Sequence, residues 1–182
     1  MHRWTAEEGR HAIAMRDYLL VTRSVDPVQL ERERMDHMSR GFSGTAEGSV
    51  LTTMAYVSFQ ELATRISHHN TGKAIDDPVG YEVMKRVASD ENRHHLFYRD
   101  LCTAALEVDP SGMVAAIEAQ VRDFEMPGTG IVDFDAHARA IARAGIYDFQ
   151  IHHDQILSPV VVRHWGIENL TGLSDAAERA RD

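Results

Sequence analysis

The apolar positions of this chain recur at intervals of three and four, the spacing that places side chains on one face of an α-helix. A first helix is expected from about Thr5 to Arg23, with Trp4, Glu8, His11, Met15 and Tyr18 on one stripe. Thr5 with Glu8 three residues on reads as a capping box; alternatively, Met1 and Trp4 continue a helix that begins earlier. Asp26-Pro27 opens a second helix, Val28 to Arg40, rich in Glu and Arg and therefore peripheral, and Gly41 to Gly48 forms a turn region. The third helix runs from about Ser49 to His69 with Val50, Met54, Val57, Glu61, Thr64 and His68 in line. A loop from Asn70 to Pro78 leads to a fourth, Val79 to Glu107, whose stripe is Met84, Val87, Glu91, His94, Tyr98 and Leu101. A fifth, Met113 to Met126, follows the stop Asp109-Pro110-Ser111-Gly112, and Pro127-Gly128-Thr129-Gly130 breaks the chain again. Asp133 to Trp165 reads as one long helical region with a kink at Pro159, and Gly166 to Leu173 turns into a short closing helix. Nothing alternates with the period of a strand, so the expectation is one all-α domain over residues 1–182.

Two of these stripes carry acid and imidazole where a core wants leucine. Glu8-Gly9-Arg10-His11 on the first helix recurs as Glu91-Asn92-Arg93-His94 on the fourth, each copy preceded by an acid, Glu7 or Asp90. Three helical residues cover about 300° of rotation and about 4.5 Å of rise, so each carboxylate shares a face with its imidazole. Glu61 sits mid-stripe on the third helix, where a carboxylate is costly unless paired, protonated or bound to a metal. Two Glu-x-x-His helices facing additional carboxylates form the arrangement of ferritin-like di-iron and di-manganese bundles. Glu8, His11, Glu61, Glu91 and His94 are therefore candidate metal ligands. Hard carboxylates with imidazole suit iron first and manganese second, whereas zinc is better served by a tighter His- or Cys-rich set. Arg10, Arg93 and Asp90 lie just outside; an aspartate that accepts the free N–H of a ligating histidine fixes its tautomer. His68, His69, His152 and His153, with no acid on the same face, read as structural or solvent-exposed, and His95 points about 100° away from His94. Trp4 is expected in the core, as is Cys102, a small buried apolar residue.

Composition narrows the possibilities. The net charge of −9, with both signs interspersed, argues against a nucleic-acid partner. Arg32, Arg34 and Arg40 read as a solvated helix face. No run approaches eighteen apolar residues, so no membrane span is expected. The one cysteine excludes an internal disulfide and a cysteine metal cluster, and fits a reducing, cytoplasmic setting.

At the motif residues the chain resembles the soluble acyl-(acyl-carrier-protein) desaturases of the stearoyl 9-desaturase type. Trp4-Thr5-Ala6-Glu7-Glu8-Gly9-Arg10-His11 is similar to the family's W-T-A-E-E-N-R-H, and Ser58 to Thr64 to its S-F-Q-E-R-A-T. Ile66 to Thr71 is similar to I-S-H-G-N-T, Asp90 to His94 to D-E-K-R-H, and Leu170 to Ser174 to L-T-G-L-S, all in family order. The resemblance implies a ferritin-like helical bundle with additional C-terminal helices. It implies that Glu8, His11, Glu61, Glu91 and His94 hold two iron ions. Thr64 would lie beside the oxygen-binding face as a proton donor, and Asp90 on an electron or proton route. It further implies O2-dependent desaturation of an acyl thioester on acyl carrier protein, a ferredoxin-type electron donor and a homodimer. Gly9 stands for the family's Asn and His95 for a Glu, both outside the ligand set. The family draws a sixth ligand, a glutamate, from a helix before the first motif, so that N-terminal bundle helix is expected to be missing here. The alternatives are a catalytically silent metal-binding or interaction remnant of the fold, and a ferritin-like iron-handling protein. The desaturase reading is preferred because the similarity extends beyond the ligands.

Overall fold

The computed structural model describes residues 2–41 and 48–182, and its elements are helices joined by turns. Three helices start the same way. In Asp26-Pro27, Asp77-Pro78 and Asp109-Pro110 the aspartate carboxylate accepts backbone N–H groups of the first turn, and proline occupies the first helical position, where no N–H partner is needed. These caps open α2 (Pro27–Arg40), α4 (Pro78–Val108) and α5 (Pro110–Asp123). Before them comes α1 (His2–Val21), while α3 (Val50–Ala74) is capped by Ser49. Beyond α5 lie α6 (Phe134–Arg143), α7 (Phe149–His152), a π-helix (His153–His164), a 3-10 turn (Ile167–Asn169) and α8 (Asp175–Arg181).

The core is built on α3 and α4, an antiparallel pair joined by three residues. Ala55, Phe59, Leu62, Ala63 and Ile66 of α3 meet Cys102 of α4, Met113, Val114 and Ile117 of α5, and Ile156, Val160 and Trp165 of the C-terminal segment. This face lies beside the predicted Val50–Glu61–His68 stripe, not on it. Val50 is 75% exposed and Glu61 meets Trp4 of α1, while Met54 of that stripe packs against the edge of the core. On α4 the predicted stripe holds through Tyr98 and then shifts by one: Cys102 is buried and Leu101 is 36% exposed. A 3.6-residue period drifts against a fixed three-four alternation, and over this long helix the drift accumulates.

Against α4 packs α1, whose buried residues are Glu7 and His11, both ionisable. Gly80 permits the close approach: a Cβ there would meet the Tyr18 hydroxyl and the Ile75 side chain. The Tyr18 hydroxyl donates to Asp77 at 2.9 Å, tying the far end of α1 to the start of α4.

Three boundaries differ from the sequence expectations. Helix α1 already runs at His2, so Thr5 lies inside it and is not a cap. Helix α3 continues through the predicted loop to Ala74, because Gly72 lets its last turn sit close to Met84 and the stop comes only at Asp77-Pro78. The region 133–165 is two pieces. Gly145, at φ +69°, turns the chain after α6, and Asp148 caps α7. Pro159 lies within the π-helix that follows. The turn expected over Gly41 to Gly48 falls mostly on residues 42–47, outside the described residues. Among the described residues no helix is long and apolar enough to cross a membrane.

Candidate metal centre

Three helices bring the acids and imidazoles together. Glu8 comes from α1, Glu61 from α3, and Glu91 and His94 from α4; one ligand atom from each lies within 4.8 Å of the others. The meeting point is the Nδ1 face of His94, with Glu8 Oε1 at 3.2 Å, Glu61 Oε2 at 3.3 Å and Glu91 Oε2 at 3.4 Å. His11 adjoins the cluster: its Nδ1 lies 3.3 Å from Glu91 Oε1 and 3.9 Å from Glu8 Oε2. All five sequence candidates thus stand in one place. Glu61 is 1% exposed, which needs a compensating partner.

The outward nitrogens are held by a second pair of acids. His11 Nε2 lies 3.0 Å from Asp90 Oδ2, and His94 Nε2 lies 2.9 Å from Glu7 Oε2. Behind them, Arg10 reaches Asp90 at 2.6 Å, Arg93 also pairs with Asp90, and Arg3 bonds Glu7 at 3.0 Å. The Trp4 indole donates to Glu61 Oε1 at 2.9 Å and packs edge-on to His94 and Tyr98.

So many carboxylates around two imidazoles perturb one another. Burial opposes charging His94, yet Glu61, Glu8, Glu91 and Glu7 together push it up to about 12. His11 is also raised, against its burial, by Glu91 and Asp90. Burial raises the Glu61 carboxyl, and the nearby His11 and His94 imidazoles hold Glu91 low despite its burial. The carboxylates around His94 favour positive charge at that point, which a divalent cation would supply.

The donor set fits such a cation. Glu8 Oε1, His11 Nδ1 and Glu91 Oε2 are buried atoms without a hydrogen bond, and all three face the cluster. Buried polar atoms that converge without hydrogen-bond partners are what ligation satisfies. Carboxylate oxygens with imidazole nitrogens match iron or manganese better than zinc.

The family described as Fatty acid desaturase matches this sequence over residues 1–182. The chain belongs to that family. It is 47% identical over 182 residues to the acyl-(acyl-carrier-protein) desaturase DesA1 of Mycobacterium tuberculosis, covering 94% of this chain and 54% of that protein. It is 33% identical over 189 residues to the chloroplastic stearoyl-(acyl-carrier-protein) 9-desaturase of Simmondsia chinensis, covering 98% and 47%. The chain therefore spans about half the length of the curated relatives it matches. Among solved structures, the acyl-ACP desaturase DesA2 of Mycobacterium tuberculosis H37Rv superposes with a TM-score of 0.79 at 30% identity, covering 98% of this chain and 67% of that one. The architecture is the all-α, ferritin-like one of the desaturase family.

Other residues of this desaturase-family chain stand differently from their sequence reading. Glu7, noted only as an acid before the motif, is buried against His94. The signal was its equivalence to Asp90. His68 has an acidic neighbour after all, its Nε2 lying 3.7 Å from Glu91 Oε1, because two helical turns separate it from Glu61 on one face. His153 pairs with the adjacent Asp154 at 2.7 Å, and His152 is buried with its Nδ1 2.6 Å from the Tyr147 hydroxyl. His95 is buried, bonded to the Ser58 carbonyl, and faces away from the cluster. The Thr64 hydroxyl, one turn from Glu61, donates back to the Gln60 and Glu61 carbonyls.

Proposed function

We propose that these residues form the metal-binding part of an acyl-(acyl-carrier-protein) desaturase, an oxidoreductase of fatty acid metabolism. The observation that carries this reading is the convergence of Glu8, Glu61, Glu91 and His94 with buried donor atoms left unbonded. It is supported by relatives named for that activity. Glu8, His11, Glu61, Glu91 and His94 are the proposed ligands of two iron ions, which when bound supply the capacity to activate O2.

The chain's own groups do the rest. Asp90 and the arginines behind it hold the His11 imidazole and provide a charged route from the surface to the cluster. Thr64, freed from its carbonyl acceptors by a change of rotamer, handles a proton beside Glu61. The acyl thioester on acyl carrier protein loses two hydrogens with their two electrons, and a ferredoxin-type donor supplies two more. With two further protons, O2 leaves as two waters. A homodimer in a reducing, cytoplasmic setting completes the proposal.

The test is iron per chain after anaerobic reconstitution and removal of loose metal, by elemental analysis. About two irons per chain are expected of a two-metal bundle, followed by a desaturated acyl product when carrier-protein thioester, O2 and donor are added. Near-zero iron overturns the reading. Oxidation and storage of many irons per chain without acyl product favours an iron-handling protein instead.

A further inference from the structure

We infer that Glu7 is a positioning residue for His94, the counterpart on α1 of what Asp90 on α4 does for His11. The inference rests on the metal-site reading above and adds a residue and an exchanged connectivity to it. Each acid immediately precedes the Glu of its own Glu-x-x-His motif, yet neither braces its own histidine. Glu7 Oε2 crosses from α1 to the Nε2 of His94, and Asp90 Oδ2 crosses from α4 to the Nε2 of His11. Both acids are buried, Glu7 at 6% and Asp90 at 4% exposure.

The division of oxygens on Glu7 argues for a specific role. Its Oε1 faces the cations, Arg3 at 3.0 Å and Arg10 and Arg93 each at 3.7 Å, while Oε2 is left for the imidazole. A plain surface ion pair would end at the arginines. Nor does Glu7 compete as a ligand, because it sits on the ring nitrogen opposite the one that Glu8, Glu61 and Glu91 surround. An acceptor at Nε2 keeps a proton on that nitrogen and turns Nδ1 toward the carboxylates. Asp90 does the same for His11, whose Nδ1 faces Glu91 and Glu8. Each helix therefore sets the imidazole of the other. Arg10 and Arg93, which both reach both acids, couple the two braces.

Two readouts test this. In metal-free protein with labelled histidines, long-range ¹H–¹⁵N spectra of Glu7→Gln should move the Nε2 resonance of His94 well beyond that of His11. Asp90→Asn should do the reverse. An unchanged pair of rings in Glu7→Gln, or movement of His11 instead, overturns the exchanged connectivity. In anaerobic Co(II) titrations, Glu7→Gln and Glu7→Asp should each weaken one of two sites by about 10- to 100-fold and alter its visible absorption spectrum. Glu7→Asp keeps the charge for the arginines but withdraws the oxygen from the ring. Exposed Glu82→Gln, which loses only a pairing with Lys85, should titrate as wild type. Circular dichroism melts check that each variant is folded. Wild-type Co(II) binding with equal binding by both Glu7 variants overturns this inference alone. A wild type that binds no Co(II) overturns it together with the metal-site reading.

Discussion

His152 makes the stability of this fold depend on pH by an amount that its surroundings set. The ring is buried, stacks on Phe124 at 4.7 Å and keeps Nδ1 2.6 Å from the Tyr147 hydroxyl, which fixes the start of the C-terminal segment against the end of α5. Burial, with His153 beside it, pushes the ring down to about 4 from the ordinary 6.5. The unfolded chain therefore binds a proton between those two values that the folded chain refuses. The contribution is complete above pH 6.5 and is lost as pH falls toward 4. The whole window amounts to about 3 kcal/mol, of which nearly half is gone at pH 5.5 and most at pH 4.5. Urea unfolding of metal-free protein at four pH values, wild type against His152→Asn, isolates this contribution. Asparagine keeps an acceptor for Tyr147 but does not titrate, and the distant carboxylates cancel in the difference. The wild-type-minus-variant stability should fall by those amounts as pH drops. Parallel curves would refute the buried-neutral assignment.

Four further outcomes follow from particular contacts. Phe59→Ala empties the fully buried position where α3 meets Trp165, and should cost about 3–5 kcal/mol in urea unfolding with little change in helix content. Cys102, fully buried and pushed by burial up to about 12, should resist a thiol reagent at pH 8 until denaturant is added. Gly80→Ala puts a methyl against the Tyr18 hydroxyl and Ile75, and should lower stability by about 1–3 kcal/mol; a variant as stable as wild type would mean that α1 sits farther from α4. Trp4, bonded to Glu61, should report a paramagnetic cation at the cluster by fluorescence quenching that Trp4→Phe largely removes, since Trp165 lies on the other face of α3.

Much of this architecture is written in local signals. The three Asp-Pro steps each start a helix as they read, and the doubled Glu-x-x-His identifies both helices that face each other across the cluster. Glu61 stood out because a carboxylate within an apolar run needs a partner. What sequence could not supply was the choice between neighbouring faces. The apolar run of α3 is continuous enough to give two stripes, and only the packing of α5 and the C-terminal segment selects Phe59 and Ile66 for the core. His68 shares the Glu61 stripe, but its acidic neighbour Glu91 lies on another helix, and same-helix spacing does not reveal that pairing. Glu7 was legible only by analogy, because its partner is the histidine of the other motif. The break at Gly145 is hidden by the helix-favouring alanines that lead up to it, Ala136, Ala138, Ala140, Ala142 and Ala144.

The burial pattern of α1 has a thermodynamic consequence. Two of the five candidate donors ride on a helix whose buried residues are a glutamate and a histidine, while α3 and α4 share an apolar core. The hydrophobic effect that closes the α3–α4 pair thus contributes less to closing α1, whose apolar side chains such as Trp4, Met15 and Leu19 are only half-buried. Charge does the rest of that work, and a cation shared by α1 and α4 stabilises only the closed form, by about 2.7 kcal/mol at a hundredfold excess over its dissociation constant. On the proposed metal site, the concentration of free cation then shifts the balance between docked and undocked α1. On that proposal the first helix resembles a hasp: Tyr18 and Gly80 hold one end close to α4, and the pin would be the ion.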